Sequence, residues 1–164
     1  MSVTGMFRPG MRAYIIPLVA GPALAMSAFL PWVIVGDVRL TGVPDATALW
    51  VVGLGILATL LAILSLITRK NSRHPLLLVG LVAFGLMFLS WRLMPRAAAD
   101  RAMTRSQALA IVQNTPLGAA PSAMVGIGIY LGLVAAGAIA CFGLTIVVKR
   151  ASRPYIVESK DDDV

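Results

Sequence analysis

The sequence contains few of the residues that build disulfides, metal centres and catalytic sites. Cys141 is its single cysteine, so the chain cannot form an internal disulfide. His74 is its single histidine, which excludes haem ligation by two histidines of this chain and an internal His/Cys metal cluster. We therefore expect no intrinsic metal or cofactor. For His74 the sequence predicts a headgroup contact, with an axial contact to a pigment or haem held by another subunit as the alternative.

Acidic residues are also scarce, with seven Asp and Glu against 14 Lys and Arg. Every Asp, Glu, Lys and Arg and the single His lie in a loop or near the end of an apolar stretch, whereas a proton or ion path through a membrane needs such groups at mid-depth. The sequence therefore argues against a proton pump or an ion-coupled carrier. The basic residues behind the net charge of +7 do not form one patch interleaved with aromatic residues, so we expect no nucleic-acid partner. No feature of the sequence indicates a soluble small-molecule substrate.

Long apolar runs are what the chain has in abundance. Hydrophobic residues make up 59% of it and the mean hydropathy is +0.87, against an apolar fraction of about 45–50% in globular domains. Four stretches reach about 20 residues, the length with which a helix crosses roughly 30 Å of hydrocarbon. We expect an all-α integral membrane four-helix bundle in residues 1–150 and a polar cytoplasmic tail in 151–164. The predicted spans are 13–35, 46–68, 75–94 and 123–148.

Two connecting segments have patterns of their own. Residues 36–45 alternate apolar and polar side chains between glycines, which predicts a short extended segment or hairpin on the outer side. Residues 96–113 are alanine-rich and lack Gly and Pro, which predicts a separate amphipathic helix at the membrane interface. Its apolar face is expected to contain Ala98, Ala102, Leu109 and Val112.

Charged and aromatic residues at the ends of the apolar stretches indicate an orientation. Nine of the 14 Lys and Arg lie on the side of the two termini, which the positive-inside rule places in the cytoplasm of a bacterial cell. Part of this group is expected to bind anionic lipid headgroups: Arg69, Lys70, Arg73, Lys149 and Arg150. On the opposite side, Trp32, Trp50 and Trp91 are predicted to be interfacial anchors, because indole rings favour the headgroup level.

The fourth stretch carries a row of small residues at every fourth position: Gly128, Gly132, Ala136 and Ala140. Small side chains let a second helix approach closely, and in lipid such packing replaces the hydrophobic effect as a driving force. The row predicts a helix-packing seam. Two interpretations remain open, one in which the seam packs inside the bundle and one in which it docks another subunit.

The end of the first stretch carries a family resemblance. Leu30-Pro31-Trp32-Val33, the glycine-bounded loop 36–42 and an apolar helix from about Ala48 resemble small bacterial four-span membrane proteins of uncharacterised function. The overall layout is also similar to that of claudin-type tetraspan proteins, although the paired loop cysteines of that family are missing here. The resemblance implies a fold and no activity.

The sequence has packing surfaces but no catalytic constellation, which predicts a non-enzymatic accessory subunit of a larger membrane complex, bioenergetic or photosynthetic. The groups expected to be bound are lipids, or pigments held by a partner subunit. The alternative is a small lipid- or ligand-binding channel or transporter, in which kinks at Pro17 and Pro22 line a cavity. A third hypothesis is an enzyme acting on lipid headgroups, with Arg92 and Arg96 binding phosphate and Asp37 as base.

Overall fold

The structure is a computed structural model that describes residues 14–68, 73–114, 116 and 122–151, with only the backbone described for 73 and 146–151. The chain is mostly helical, as the sequence predicts, and a small sheet is added to the helices. The elements in the described ranges are α1 (Ile15–Ser27), β1 (Pro31–Val35), β2 (Val38–Thr41), α2 (Ala46–Thr68), α3 (Arg73–Gln113), β3 (Ala123–Val125) and α4 (Ile127–Ala151).

The prediction of one helix over residues 13–35 is wrong, because the helix ends at Ser27 and the remainder continues into β1. Pro31 disfavours the helical conformation at the residue before it, and the β-branched run Val33-Ile34-Val35 favours a strand. With 13 residues, α1 is about 20 Å long, less than the roughly 30 Å of a hydrocarbon core. The described residues contain three helices that are long and apolar enough to span a membrane, namely α2, α3 and α4.

The α2 helix has the predicted bounds, whereas the predicted break after Met94 is wrong. The α3 helix continues through Pro95 to Gln113, so residues 96–113 are part of one 41-residue helix and do not form a separate interfacial one. A proline inside a helix removes one backbone hydrogen bond at a cost of about 3 kcal/mol. The alanine-rich sequence that follows contains no glycine and favours helix strongly enough for α3 to continue.

The three strands form an antiparallel sheet in the order β2-β1-β3. The predicted hairpin is present, but its first strand lies upstream of 36–45. Its two-residue turn is Gly36-Asp37, where Gly36 has a φ of +58°, the positive value that two-residue hairpin turns need at their first central position. The fourth predicted span is wrong at its start, because Ala123–Val125 pairs with β1 and α4 begins only at Ile127.

The four helices pack side by side, and the sheet covers one end of the bundle. The α1 helix lies against α2 and α4, and α3 packs mainly against α4. At the crossing of α1 and α2 the backbones approach closely, since a Cβ atom added to Gly55 would lie 2.7 Å from the Gly21 carbonyl oxygen. The core between the helices includes the fully buried side chains of Leu24, Val51, Leu76, Met87 and Ile139.

Candidate functional site

Trp32 connects the sheet to the bundle from inside the protein. It lies at a bulge of β1, where the pairing with β2 shifts between Pro31 and Val33, and only 1% of its surface is exposed. Its Nε1–H donates a 2.8 Å hydrogen bond to the carbonyl oxygen of Ser27. The prediction that Trp32 is an interfacial anchor is therefore wrong, because a buried indole does not reach the headgroups.

The other two predicted anchors lie on the surface near the same end of the bundle. Trp50, in the second turn of α2, is 70% exposed. Trp91 is half-buried on α3, and its ring centroid is 5.7 Å from that of Phe88. Both positions suit an indole at the headgroup level, and their role as anchors remains a prediction.

An amphipathic cleft of about 120 Å³ lies between the sheet and α3. Its polar side chains are Thr41 at the end of β2, Asp45 directly before α2, and Arg101 on α3. The Thr41 hydroxyl donates a 2.7 Å hydrogen bond to the carbonyl oxygen of Val43. Asp45 and Arg101 both belong to the described residues, and no salt bridge joins them. The apolar lining consists of Trp32, Val33, Leu40, Met94, Ala97 and Ala98.

A second concave surface, of about 350 Å³, follows the line between α1 and α4. Its lining contains no polar side chain. Four of the lining residues are alanines, so few side-chain atoms project into the groove. Small side chains of this kind let another helix backbone approach closely. The groove is lined by Ile15, Ile16, Val19, Ala20 and Ala23 of α1 and by Leu131, Val134, Ala135 and Ala138 of α4.

The predicted helix-packing seam faces the interior of the bundle, which leaves no free face for docking a subunit there. A Cβ atom on Gly128 would lie 2.7 Å from the Ser27 carbonyl oxygen, and Gly132 lies against Met87 of α3. Ala136 is fully buried, and Ala140 approaches the backbone of α3 at Gly80. The interpretation that the seam packs internally fits this placement, and the interpretation of an external docking seam does not.

Those of the other predicted binding residues that the structure describes lie at the end of the bundle away from the sheet. His74 is exposed in the first turn of α3, so a contact to an external pigment or haem remains a prediction. Arg69 and Lys70 lie outside the described residues. For Arg73, Lys149 and Arg150 only the backbone is described, and the antiparallel packing of α3 on α4 brings these three positions to the same end of the bundle.

The residues of the enzyme hypothesis do not share a site. Asp37 is exposed in the β1–β2 turn, while Arg92 and Arg96 are exposed on α3, and none of the three lines the cleft. Over the described ranges, no three His, Cys, Asp or Glu residues come close enough together to hold a metal ion. Pro17, expected to line a cavity in the transporter hypothesis, is fully buried in the core, and Pro22 is exposed.

Sequence reasoning did not find that Asp45 and Arg101 line the same cleft. The two residues are distant in sequence, and Arg101 reaches this cleft only because α3 continues past Pro95. With the break after Met94 that the sequence suggested, Arg101 belonged to an independent interfacial helix. The one available signal was its position three residues after Ala98, on the apolar side of the same helix.

Comparisons with known proteins give no relative on which a function could be based. No protein-family model matches the chain, and no curated protein or solved structure is significantly similar to it.

Proposed function

We propose that the chain is a non-enzymatic accessory subunit that packs against a larger complex in the bacterial cytoplasmic membrane, with both termini in the cytoplasm. Although α1 is shorter than a full span, its two ends lie at opposite ends of α4: the ring of Tyr14 is 4.9 Å from that of Phe142, whereas Ser27 lies beside Gly128. Support for a membrane location comes from the outer faces of the long helices. Large apolar side chains are exposed along them, including Leu57 and Leu60 on α2, Leu81 and Leu89 on α3, and Val134 on α4. A water-soluble protein rarely exposes so much contiguous apolar surface.

The observation that carries the accessory role is the apolar groove between α1 and α4. Lipid solvates apolar side chains as well as protein does, so helices associate in membranes where small residues allow close contact. Ala20 and Ala23 on α1 face Ala135 and Ala138 on α4 across this groove. The geometry suits one transmembrane helix of a partner subunit better than a polar substrate, because the lining offers no hydrogen-bonding side chain.

The test is purification of the tagged chain from its native host in mild detergent, followed by a native gel, mass spectrometry and an absorption spectrum of the same band. A stoichiometric larger complex is expected, and coloured material would connect it to a bioenergetic or photosynthetic assembly. Ala23→Leu and Ala138→Leu, which fill the groove with apolar atoms, are expected to release the chain from that complex.

Gly85→Leu is the matched control. It also adds an apolar side chain to a helix surface, and nothing lies within 4 Å of a Cβ atom at Gly85. This variant should remain in the complex. A lone monomer or homo-oligomer in the wild type would overturn the accessory role. If lipid copurifies with the wild type in a fixed ratio and is lost in the variants that fill the groove, this would instead favour the alternative, a small lipid- or ligand-binding channel or transporter.

A further inference from the structure

The cleft beside the sheet presents two opposite charges that the proposed function does not use. Asp45 directly precedes α2, and Arg101 lies two turns after Met94, where the apolar part of α3 ends. The cleft is therefore located at the level where the apolar surfaces of both helices end. In a membrane this is the level of the lipid headgroups.

We propose that this cleft binds a phosphoethanolamine group, with Arg101 contacting the phosphate and Asp45 contacting the primary ammonium. The two charges require a ligand that carries both signs, because an anion alone would face the Asp45 carboxylate and a cation alone the Arg101 guanidinium. The inference shares only the membrane location with the proposed function and does not need a partner subunit.

The chemistry of the two side chains matches this group. A guanidinium donates two parallel hydrogen bonds to phosphate oxygens, and a carboxylate accepts hydrogen bonds from the N–H groups of an ammonium. Neither charge has to break a salt bridge with the other before it binds. The guanidinium and the carboxylate extend from separate elements, α3 and the start of α2, so the ligand would also hold these elements together.

The walls of the cleft suit a small headgroup with apolar atoms attached. The cleft has a volume of about 120 Å³ and is open to the surface, where Asp45 and Arg101 are both exposed. Val33, Leu40 and Met94 form an apolar wall. Such a wall suits the glycerol carbons and the first acyl carbons of a phospholipid, although the same polar contacts are available to a free headgroup.

The experiment measures binding to the full chain, purified in a maltoside detergent, by titration calorimetry and native mass spectrometry. The probes are short-chain phosphatidylethanolamine, short-chain phosphatidylcholine, short-chain phosphatidylglycerol and free glycerophosphoethanolamine. We expect the dissociation constant for phosphatidylethanolamine to rise at least about tenfold in Asp45→Asn and in Arg101→Gln. Arg105→Gln is the matched control, since Arg105 is exposed one turn further along α3 and does not line the cleft.

The choice of probes separates the contributions of the two charges. Phosphatidylcholine, whose quaternary ammonium has no N–H, and phosphatidylglycerol, which has no ammonium, are both expected to bind at least about tenfold more weakly in the wild type. Free glycerophosphoethanolamine that binds as tightly as the lipid would identify a soluble source for the group, and much weaker binding would identify the lipid.

Three results would overturn the proposal: no binding of phosphatidylethanolamine, equal binding of phosphatidylethanolamine and phosphatidylcholine, or binding that both cleft variants leave unchanged. Circular dichroism and gel filtration in detergent verify that the variants remain folded. The accessory role is tested separately, because Ala138→Leu should leave headgroup binding intact while Arg101→Gln should leave the larger complex intact.

Discussion

The indole of Trp32 donates a hydrogen bond to the carbonyl oxygen of Ser27, and this contact joins the bulge of β1 to the last turn of α1. The same carbonyl accepts a longer bond of 3.3 Å from the Leu30 N–H. Nearby, the Val43 N–H donates to the Ala28 carbonyl oxygen at 3.0 Å, so the hairpin returns to the end of the same helix. The end of α1 is thus hydrogen-bonded to the chain both at the start of the hairpin, through Trp32, and after its second strand, through Val43.

Replacing Trp32 with Phe should lower the free energy of unfolding by about 1–3 kcal/mol, through the lost indole hydrogen bond and the volume left empty in the core. Unfolding is measured by titration with a denaturing detergent in micelles. Trp50→Phe makes the same chemical change at a side chain that is 70% exposed, so its effect should stay within about 0.5 kcal/mol. Equal effects of the two variants would contradict the buried position of Trp32.

The small-residue seam predicts a contrast between two glycines of α4. In Gly128→Ala the added Cβ atom would lie 2.7 Å from the Ser27 carbonyl oxygen and from Cδ1 of Trp32, and we expect a loss of about 1–3 kcal/mol from overpacking. In Gly137→Ala the nearest atom, on Phe84, is 3.8 Å away. There the better helix propensity of alanine should stabilise the protein by about 0.5–1 kcal/mol. Stabilisation by both changes would show that the seam is open.

The β1–β2 turn depends on the left-handed backbone at Gly36. A Cβ atom there would meet no other group within 4 Å, so a substitution tests backbone conformation alone. Gly36→Val should destabilise the protein by about 1–2 kcal/mol, whereas Gly36→Asn should be tolerated much better because asparagine adopts positive φ more readily. The measurement is thermal unfolding in detergent, and a valine variant as stable as the asparagine variant would exclude a positive φ at Gly36.

Membrane orientation can be tested by cysteine labelling in intact cells. With the single native cysteine replaced in Cys141→Ser, Asp37→Cys places a thiol in the exposed turn of the hairpin. A membrane-impermeant maleimide should label this thiol from outside, whereas a cysteine added after Val164 should react only after lysis. Labelling of the added C-terminal cysteine in intact cells would place the sheet in the cytoplasm.

The sequence contained enough information for α2, which is long, apolar and bounded by the charged residues Asp45 and Arg69. The α2 helix matches its predicted bounds because its 23 residues are mostly apolar and include no charged side chain. The end of α1 was missed because hydropathy does not distinguish an apolar strand from an apolar helix, so Trp32 to Val35 was included in a span. The strand β3 was missed for the same reason, and it forms only because β1 is available as a partner.

Two other features could not be predicted from the sequence: the continuation of α3 through Pro95, and the two concave sites. A proline is a strong helix-breaking signal, yet α3 continues through Pro95 because helical residues on both sides outweigh one lost hydrogen bond. The groove between α1 and α4 and the cleft at Asp45 each combine elements that are distant in sequence. No periodicity within one segment reports such neighbours, whereas the row of small residues in α4 did indicate a close helix contact.

Because α3 is one continuous helix, its length determines how far its last turn extends. Its 41 residues measure about 60 Å, and its last turn, where Ile111 and Val112 are each 82% exposed, projects past the sheet. The length of the helix and the direction in which its last turn points change together. Removing one residue between Arg101 and Leu109 would shorten the helix by about 1.5 Å and rotate its last turn by about 100° about the helix axis. A change in the length of this segment would therefore redirect the tip as well as shorten the reach of the helix.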